Sequence, residues 1–206
     1  EIARLLVVLG PELVFINLDE AFGRSEADEE IQDLLKASQG LNIALHFLSG
    51  AITFDPAAVE LDEETASKLV WLDAYITNVD RTVKNTNMLM WKRDLWLIDH
   101  GASLYFHHSW DTLEKHAVSP FALIKEHVLL RKATQIEEVN EQFRTILTES
   151  KLKEIVALIP DEWLDWKDAV IAPNQIREVY LQFLIKRKES SAVFTKEAQD
   201  ARKKLI

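Results

Sequence analysis

The spacing of apolar residues changes period several times along the chain. Residues 1–9 are apolar at helix-like spacing as far as Gly10-Pro11, a pair that stops a helix. Residues 12–18, with Val14, Phe15 and Ile16 at their centre, have the β-branched and aromatic content of a strand. Ile31, Leu34 and Leu35 return to helical spacing behind an acidic first turn, which predicts a short surface helix over 28–36 that is over by Gly40. From 41 to 54 the apolar residues are interrupted by Gly50 and closed by Asp55-Pro56, a pattern of strand and loop.

Asp62 then caps a helix whose apolar positions, Ala66, Leu69, Val70, Leu72, Ala74, Tyr75 and Ile76, cover most of its circumference. A helix that is apolar all round belongs in the core. It delivers the chain directly into Asn78-Val79-Asp80-Arg81. Two short apolar runs, 87–91 and 95–98, flank Lys92-Arg93-Asp94 and predict a β-hairpin that ends at Asp99-His100-Gly101. Beyond Phe106 the pattern is helical. A helix is expected from Ser119-Pro120 through Leu130, followed by helices near 135–148, 150–158, 174–187 and 195–205. The expected fold class is α+β, predominantly α. With no repeat, low-complexity tract or Pro/Gly-rich linker, a single domain over 1–206 is the simplest organisation.

Composition narrows the function. At 48% apolar residues, 206 residues are enough to bury a sizeable core. A net charge of −10 disfavours nonspecific attraction to nucleic acid or to an anionic membrane surface, so neither is expected as a partner. The chain has no cysteine, which excludes disulfides, thiolate catalysis and cysteine-ligated zinc and permits a reducing compartment; a cytoplasmic location is expected. The apolar runs are too short to span a bilayer as helices, and Glu1 and Arg4 make a poor start for a secretory signal.

The candidate chemistry lies in residues 73–101. Phosphoryl transfer requires a carboxylate near the attacking hydroxyl and oxygen ligands for Mg²⁺, because the developing charge sits on phosphate oxygens. Kinases supply an Asp, an Asn five residues later, and a second metal-binding Asp after the following hairpin, just before Gly. Asp80, Asn85 and Asp99-His100-Gly101 stand in that layout. A loop after a helix presents Asp80 and Asn85 together, and the hairpin returns the chain to bring Asp99 alongside. Taken singly, each piece is also ordinary turn or cap chemistry.

These residues carry a family resemblance. The stretch from Asp73 through Asn78-Val79-Asp80-Arg81 and Lys84-Asn85-Thr86-Asn87, followed by Trp96-Leu97-Ile98-Asp99-His100-Gly101 and His107-His108, resembles the HipA-like kinase family of bacterial proteins. Residues 34–42, 50–55, 126–130 and 160–164 extend the resemblance over nearly the whole chain. It implies a protein-kinase-like fold, of which 61–206 would be the helical catalytic lobe, with the β-hairpin at its active site. Residues 1–60 would be a remnant of the smaller lobe and the interlobe region, in a domain lacking its N-terminal part. It implies ATP and Mg²⁺ as cosubstrate and cofactor, with transfer to a serine or threonine of a protein, or to a small-molecule acceptor. Asp80 would be the catalytic base or orienter, and Asn85 and Asp99 the metal and cofactor ligands. Arg81, the third catalytic candidate, would neutralise phosphate charge or orient the loop, or else be an exposed structural arginine.

The sequence departs from better-known kinases in two places: Asn78-Val79-Asp80 stands for His-Arg-Asp, and His100 for the Phe of Asp-Phe-Gly. No Gly-rich phosphate loop and no strand lysine for the ATP phosphates is found, since Gly10, Gly23 and Gly40 are isolated. Those elements are expected upstream, where Glu1 would pair with the lysine or serve only as a capping or solvated residue. Their absence also keeps open a pseudokinase, or a regulatory module with an antitoxin or other regulatory protein as partner. Metal-dependent hydrolysis by the same acidic residues is a third reading.

The remaining candidates have plainer explanations. His107-His108 with Asp111 and His100 resemble a metal set, but adjacent histidines on a strand would point to opposite faces. His46, His116 and His127 are isolated and read as structural. Of the six tryptophans, Trp71, Trp91 and Trp96 fall in periodic apolar runs, and Trp163 and Trp166 mark a helix junction, which favours packing over a ligand cage. Lys186-Arg187-Lys188 and Arg202-Lys203-Lys204 read as charges at helix C-termini.

Overall fold

The computed structural model describes residues 1–19, 21, 26–108, 110–164 and 171–205; Gly23, Trp166 and the His108 side chain lie outside the described residues. The chain divides into two compact units, Pro11–Gly50 and the rest, Glu1–Gly10 with Ala51–Ile206. It is a mixed α+β structure, about half helical, with small antiparallel sheets.

Helix α1 (Ile2–Leu5) is a single turn, shorter than the helix-like spacing over residues 1–9 suggests. Val7 takes a φ of 59°. The chain thereby leaves the helix, and the Leu9 carbonyl accepts from Leu97 N–H at 2.9 Å. Tertiary pairing outweighs local helix propensity here. The smaller unit holds strand β1 (Leu13–Leu18), helix α2 (Glu29–Ala37) and strand β2 (Gly40–Leu45). The strands pair antiparallel from Leu13 opposite Leu45 to Leu18 opposite Gly40. Asp28 caps α2 by accepting from the N–H groups of Glu30 and Ile31, and α2 buries none of its residues, as a surface helix should. Gly40, with φ +99°, supplies the turn into β2 that a residue with a Cβ would resist.

The larger unit resumes with β3 (Ile52–Thr53) and then α3 (Glu63–Tyr75). Asp62 caps α3, its carboxylate accepting from Thr65 N–H and from the Thr65 hydroxyl, each at 2.7 Å. Nine of the thirteen α3 residues are buried, so the helix is the axle of the unit. Trp71 stacks on Tyr75 and meets Phe143 and Phe194 edge-on, and its Nε1–H donates to Asn140 Oδ1 at 2.9 Å.

The hairpin forms as β4 (Met88–Trp91) and β5 (Asp94–Leu97), with Trp91 opposite Asp94. Its loop is therefore two residues, Lys92 and Arg93, both at positive φ (52° and 76°), and Asp94 belongs to the strand. Two consecutive left-handed residues suit the twist of a tight hairpin. β3 adds a third strand beside β4. Trp91 and Trp96 are half-buried and pack edge to face on one another.

Beyond the hairpin, 3₁₀ turns at Tyr105–His108 and Trp110–Thr112 lead into α4 (Leu113–Val118). The adjacent histidines 107 and 108 thus lie on a turn rather than on a strand. The helix expected from Ser119 through Leu130 is replaced by two 3₁₀ turns, Ala122–Glu126 and Leu130–Lys132. His127, at φ −64° and ψ 127°, is extended between them and pairs antiparallel with Thr82. A pairing made across 45 residues of sequence overrides the local pattern. The helical remainder is α5 (Ile136–Ile146), α6 (Glu149–Ala157), α7 (Pro173–Glu189) and α8 (Ser191–Lys203), close to the expected spans. Pro173 opens α7 as its first residue. Lys186, Arg187 and Lys188 fall in the last turn of α7, but Arg187 turns inward and is buried. Among the described residues no helix is long and apolar enough to cross a membrane.

Candidate active site

Helix α3 ends at Tyr75, and Thr77 follows at φ 55°, a strained conformation for a β-branched residue. The Asn78 N–H returns to the Asp73 carbonyl at 2.8 Å, which closes the helix end and sends residues 78–87 off as a loop. The segment after Asp99 runs beside the start of this loop. Leu104 N–H donates to the Ile76 carbonyl at 2.7 Å, and Val79 N–H to the Ala102 carbonyl at 3.2 Å. Sequence distance thus becomes proximity between these two segments.

Within the loop, Asp80 Oδ2 accepts from Asn85 Nδ2 at 2.7 Å and from Asn87 Nδ2 at 3.1 Å. Asn87 Nδ2 also reaches the Asp99 carbonyl oxygen at 3.5 Å. Asn87 therefore links the loop carboxylate to the end of the hairpin. The loop is closed on itself by Thr82, whose N–H donates to the Asn85 carbonyl at 2.9 Å while its hydroxyl accepts from Asn85 N–H at 3.3 Å. Asp99, at φ 46°, projects an exposed carboxylate whose Oδ1 accepts from Gly101 N–H at 3.2 Å. A Cβ on Gly101 would stand 3.2 Å from that same oxygen, so a side chain there would press on the Asp99 carboxylate.

Beneath the loop lies a buried ionic cluster. Arg81 Nε and His127 Nε2 both bond Asp73 Oδ2, at 2.5 and 2.9 Å, and Asn78 Nδ2 donates to Asp73 Oδ1 at 3.0 Å. The side chains of Asp73 and Arg81 have no exposed surface. The sequence left an exposed Arg81 open, and the structure corrects that: the guanidinium is turned inward, where Nη1 donates to the Asn87 carbonyl at 2.5 Å. Burial by itself would raise the Asp73 carboxyl, but the Arg81 charge and the His127 and Asn78 hydrogen bonds outweigh it and hold it well below the usual carboxylate range. Burial, followed by the nearby Arg81 charge, pulls the His100 ring down to about 4, so His100 is neutral near pH 7.

A cavity of about 380 Å³ opens beside Asn85 and Asn87. Phe54, Met88, Leu89 and Ile98 give it an apolar floor, and Asp55, Lys84 and the two asparagines a polar rim. A larger, shallower hollow of about 750 Å³ at the start of α3 is lined by Glu60, Asp62, Glu63 and Glu64, and contains none of the loop residues.

Asn87 thus joins the Asp80 carboxylate, which also receives Asn85, to the backbone of Asp99, and Arg81 lies buried behind the loop. The sequence reading missed Asn87, Asp73 and His127. A carboxylate at position 73 on a helix that is otherwise apolar all round was a signal, since a buried charge demands partners. His127, 54 residues further on, offered none. Among the described residues no three His, Asp or Glu side chains are grouped to hold a metal ion, His107 and Asp111 included.

The model of the HipA-like kinases matches residues 1–196. The chain belongs to the HipA-like kinase family, and that membership points to a kinase-type function. No match was found among curated proteins or among solved structures.

Proposed function

We propose that the protein is an ATP- and Mg²⁺-dependent phosphotransferase that phosphorylates a serine or threonine hydroxyl of a protein acceptor. In this reading 1–206 is one HipA-like kinase domain, with 61–206 as its helical catalytic lobe and 1–60 as a remnant of the smaller lobe and the interlobe region. The observation that carries the reading is the Asn87 amide, which joins the Asp80 carboxylate, itself held by Asn85, to the Asp99 backbone at the end of the hairpin.

Each side chain has a chemical task. Both amide donors on Asp80 go to Oδ2, so Oδ1 is left to receive the proton of the attacking hydroxyl or to orient it. Asn85 spends its Nδ2 on Asp80, which keeps its amide oxygen available as a hard donor. Asp99, whose backbone carbonyl Asn87 ties to the same loop, offers an exposed carboxylate. An amide oxygen and a carboxylate are a donor set suited to Mg²⁺, which usually takes one or two protein oxygens and completes its shell with water and phosphate oxygens. Bound there, the ion would neutralise charge on the phosphoryl oxygens. The apolar floor of the neighbouring cavity suits a nucleotide base, and its rim suits a ribose and phosphates. Arg81 is a positioning residue, because its buried guanidinium reaches the loop backbone and not the cavity.

The test is transfer of labelled γ-phosphate from ATP to protein by the intact protein, with Asp80→Ala alongside. The variant should lose transfer while keeping its unfolding midpoint. Transfer that survives the substitution, or release of free phosphate with no labelled acceptor, would overturn the assignment.

A further inference from the structure

The catalytic loop is held from behind by a relay of hydrogen bonds that begins on the broken helix segment at His127. Leu129 N–H donates to His127 Nδ1 at 3.1 Å. A backbone N–H only donates, so Nδ1 is the acceptor nitrogen and the ring proton sits on Nε2. Nε2–H is therefore the donor to Asp73 Oδ2. The same oxygen receives Arg81 Nε, and Arg81 Nη1 ends on the Asn87 carbonyl, which also accepts Ile98 N–H at 3.1 Å. Asn87 then holds Asp80 and Asp99 through its side chain. The backbone repeats the connection, since Val128 N–H donates to the Arg81 carbonyl at 3.1 Å and His127 pairs with Thr82.

The geometry points to His127 and Asp73 as positioning residues for phosphoryl transfer. The imidazole fixes the orientation of the Asp73 carboxylate, that carboxylate fixes Arg81, and Arg81 fixes the backbone from which Asn87 aligns both site aspartates. The inference rests on the kinase reading of Asp80 and adds residues that touch neither substrate. It explains the extended His127 between two 3₁₀ turns, where the sequence alone predicts continuous helix. A ring carried on an unbroken helix would not also offer its backbone to Thr82.

Three substitutions separate this role from space filling. Gln places an amide Nε2 near the position of the imidazole Nε2 and keeps the donor to Asp73. Asn keeps only an acceptor for Leu129 N–H, and Leu keeps neither. In the intact protein, His127→Leu and His127→Asn should lower kcat by about tenfold to a hundredfold with KM for ATP changed by less than about threefold, because misaligned groups cost rate more than binding. His127→Gln should recover most of the loss. Amide hydrogen exchange over residues 81–87 gives a readout independent of turnover: it should quicken in the Leu and Asn variants and return toward wild type in Gln.

Wild-type kcat and exchange in His127→Leu would overturn the proposal, as would equal losses in Gln and Leu. Failure of the kinase reading looks different, because Asp80→Ala would then match the wild type in transfer. In that case the exchange rates alone decide whether the relay orders the loop.

Discussion

Asn87 reaches Asp80 Oδ2 and the Asp99 carbonyl with one amide nitrogen, at 3.1 and 3.5 Å. It does so from a left-handed backbone, φ 46°, which asparagine tolerates better than most residues. Glycine accepts the same backbone without the amide, so Asn87→Gly isolates the side chain's contribution. The expected result is a kcat lower by about tenfold to a hundredfold, the usual consequence of a misplaced catalytic group, with an unfolding midpoint close to wild type. Steady-state phosphotransfer checks the first and thermal denaturation the second; an unchanged kcat would remove Asn87 from the site.

Asn85 and Asp99 are predicted to set the Mg²⁺ requirement. Asn85→Ala removes the amide oxygen, and Asp99→Asn removes the charge while keeping a residue that accepts the φ of 46°. Each should raise the Mg²⁺ concentration for half-maximal activity by about tenfold or more, in keeping with the loss of one of the few protein ligands that Mg²⁺ takes. Titration of activity against Mg²⁺ at saturating ATP is the measurement. Superimposable titration curves for variant and wild type would place the metal elsewhere.

How much of this was legible beforehand depended on the range of the interactions. The α3 cap at Asp62, the buried character of α3 and the hairpin are written in residues close in sequence, and the structure has all of them; the bond between Asp80 and Asn85 is likewise local. The 3₁₀ interruption at His127 was not legible, because its partners, Thr82 and Asp73, lie 45 and 54 residues earlier. Arg187 was read as one of three helix-end charges. Lys186 and Lys188 do lie in that last turn, but a 3.6-residue period also places one member of any such run on the inner face. Which member faces inward depends on α4 and α3, and neither announces the contact locally.

The acid stability of the fold should depend measurably on His100. Its ring titrates at about 4 in the folded protein against an ordinary value of 6.5. Between those two values the unfolded chain binds a proton that the folded protein refuses, so stability falls as pH falls from about 6.5 towards about 4. Phenylalanine has a similar size and does not titrate, and among the described residues His100 Nε2 makes no hydrogen bond that would be lost. His100→Phe should therefore gain on the wild type as the pH is lowered through that window. Urea midpoints of both proteins at pH 7, 5.5 and 4 test this, and a constant difference across the three would refute it.

Arg187 has the largest predicted effect on stability. Its side chain donates to the carbonyls of His116, Ala117 and Ser119 at the end of α4 and to the Ala74 carbonyl in α3, and its guanidinium lies 4.6 Å from the centre of the Phe194 ring. It makes no ion pair with a carboxylate among the described residues, and burial lowers its pKa to about 10. The charge is held by carbonyl oxygens at two helix ends, where the negative end of each backbone dipole lies. Arg187→Met fills much of the space but leaves those carbonyls without a donor. The cost should be about 2–4 kcal/mol, from leaving buried acceptors unpaired, less the desolvation penalty that the charge no longer incurs. For a chain of this length that corresponds to a thermal midpoint lower by roughly 5–15 °C. Arg187→Lys, which keeps the charge but cannot span both helix ends with a planar fork, should fall between methionine and wild type. A methionine variant as stable as the wild type would mean that desolvating the guanidinium costs as much as its hydrogen bonds contribute.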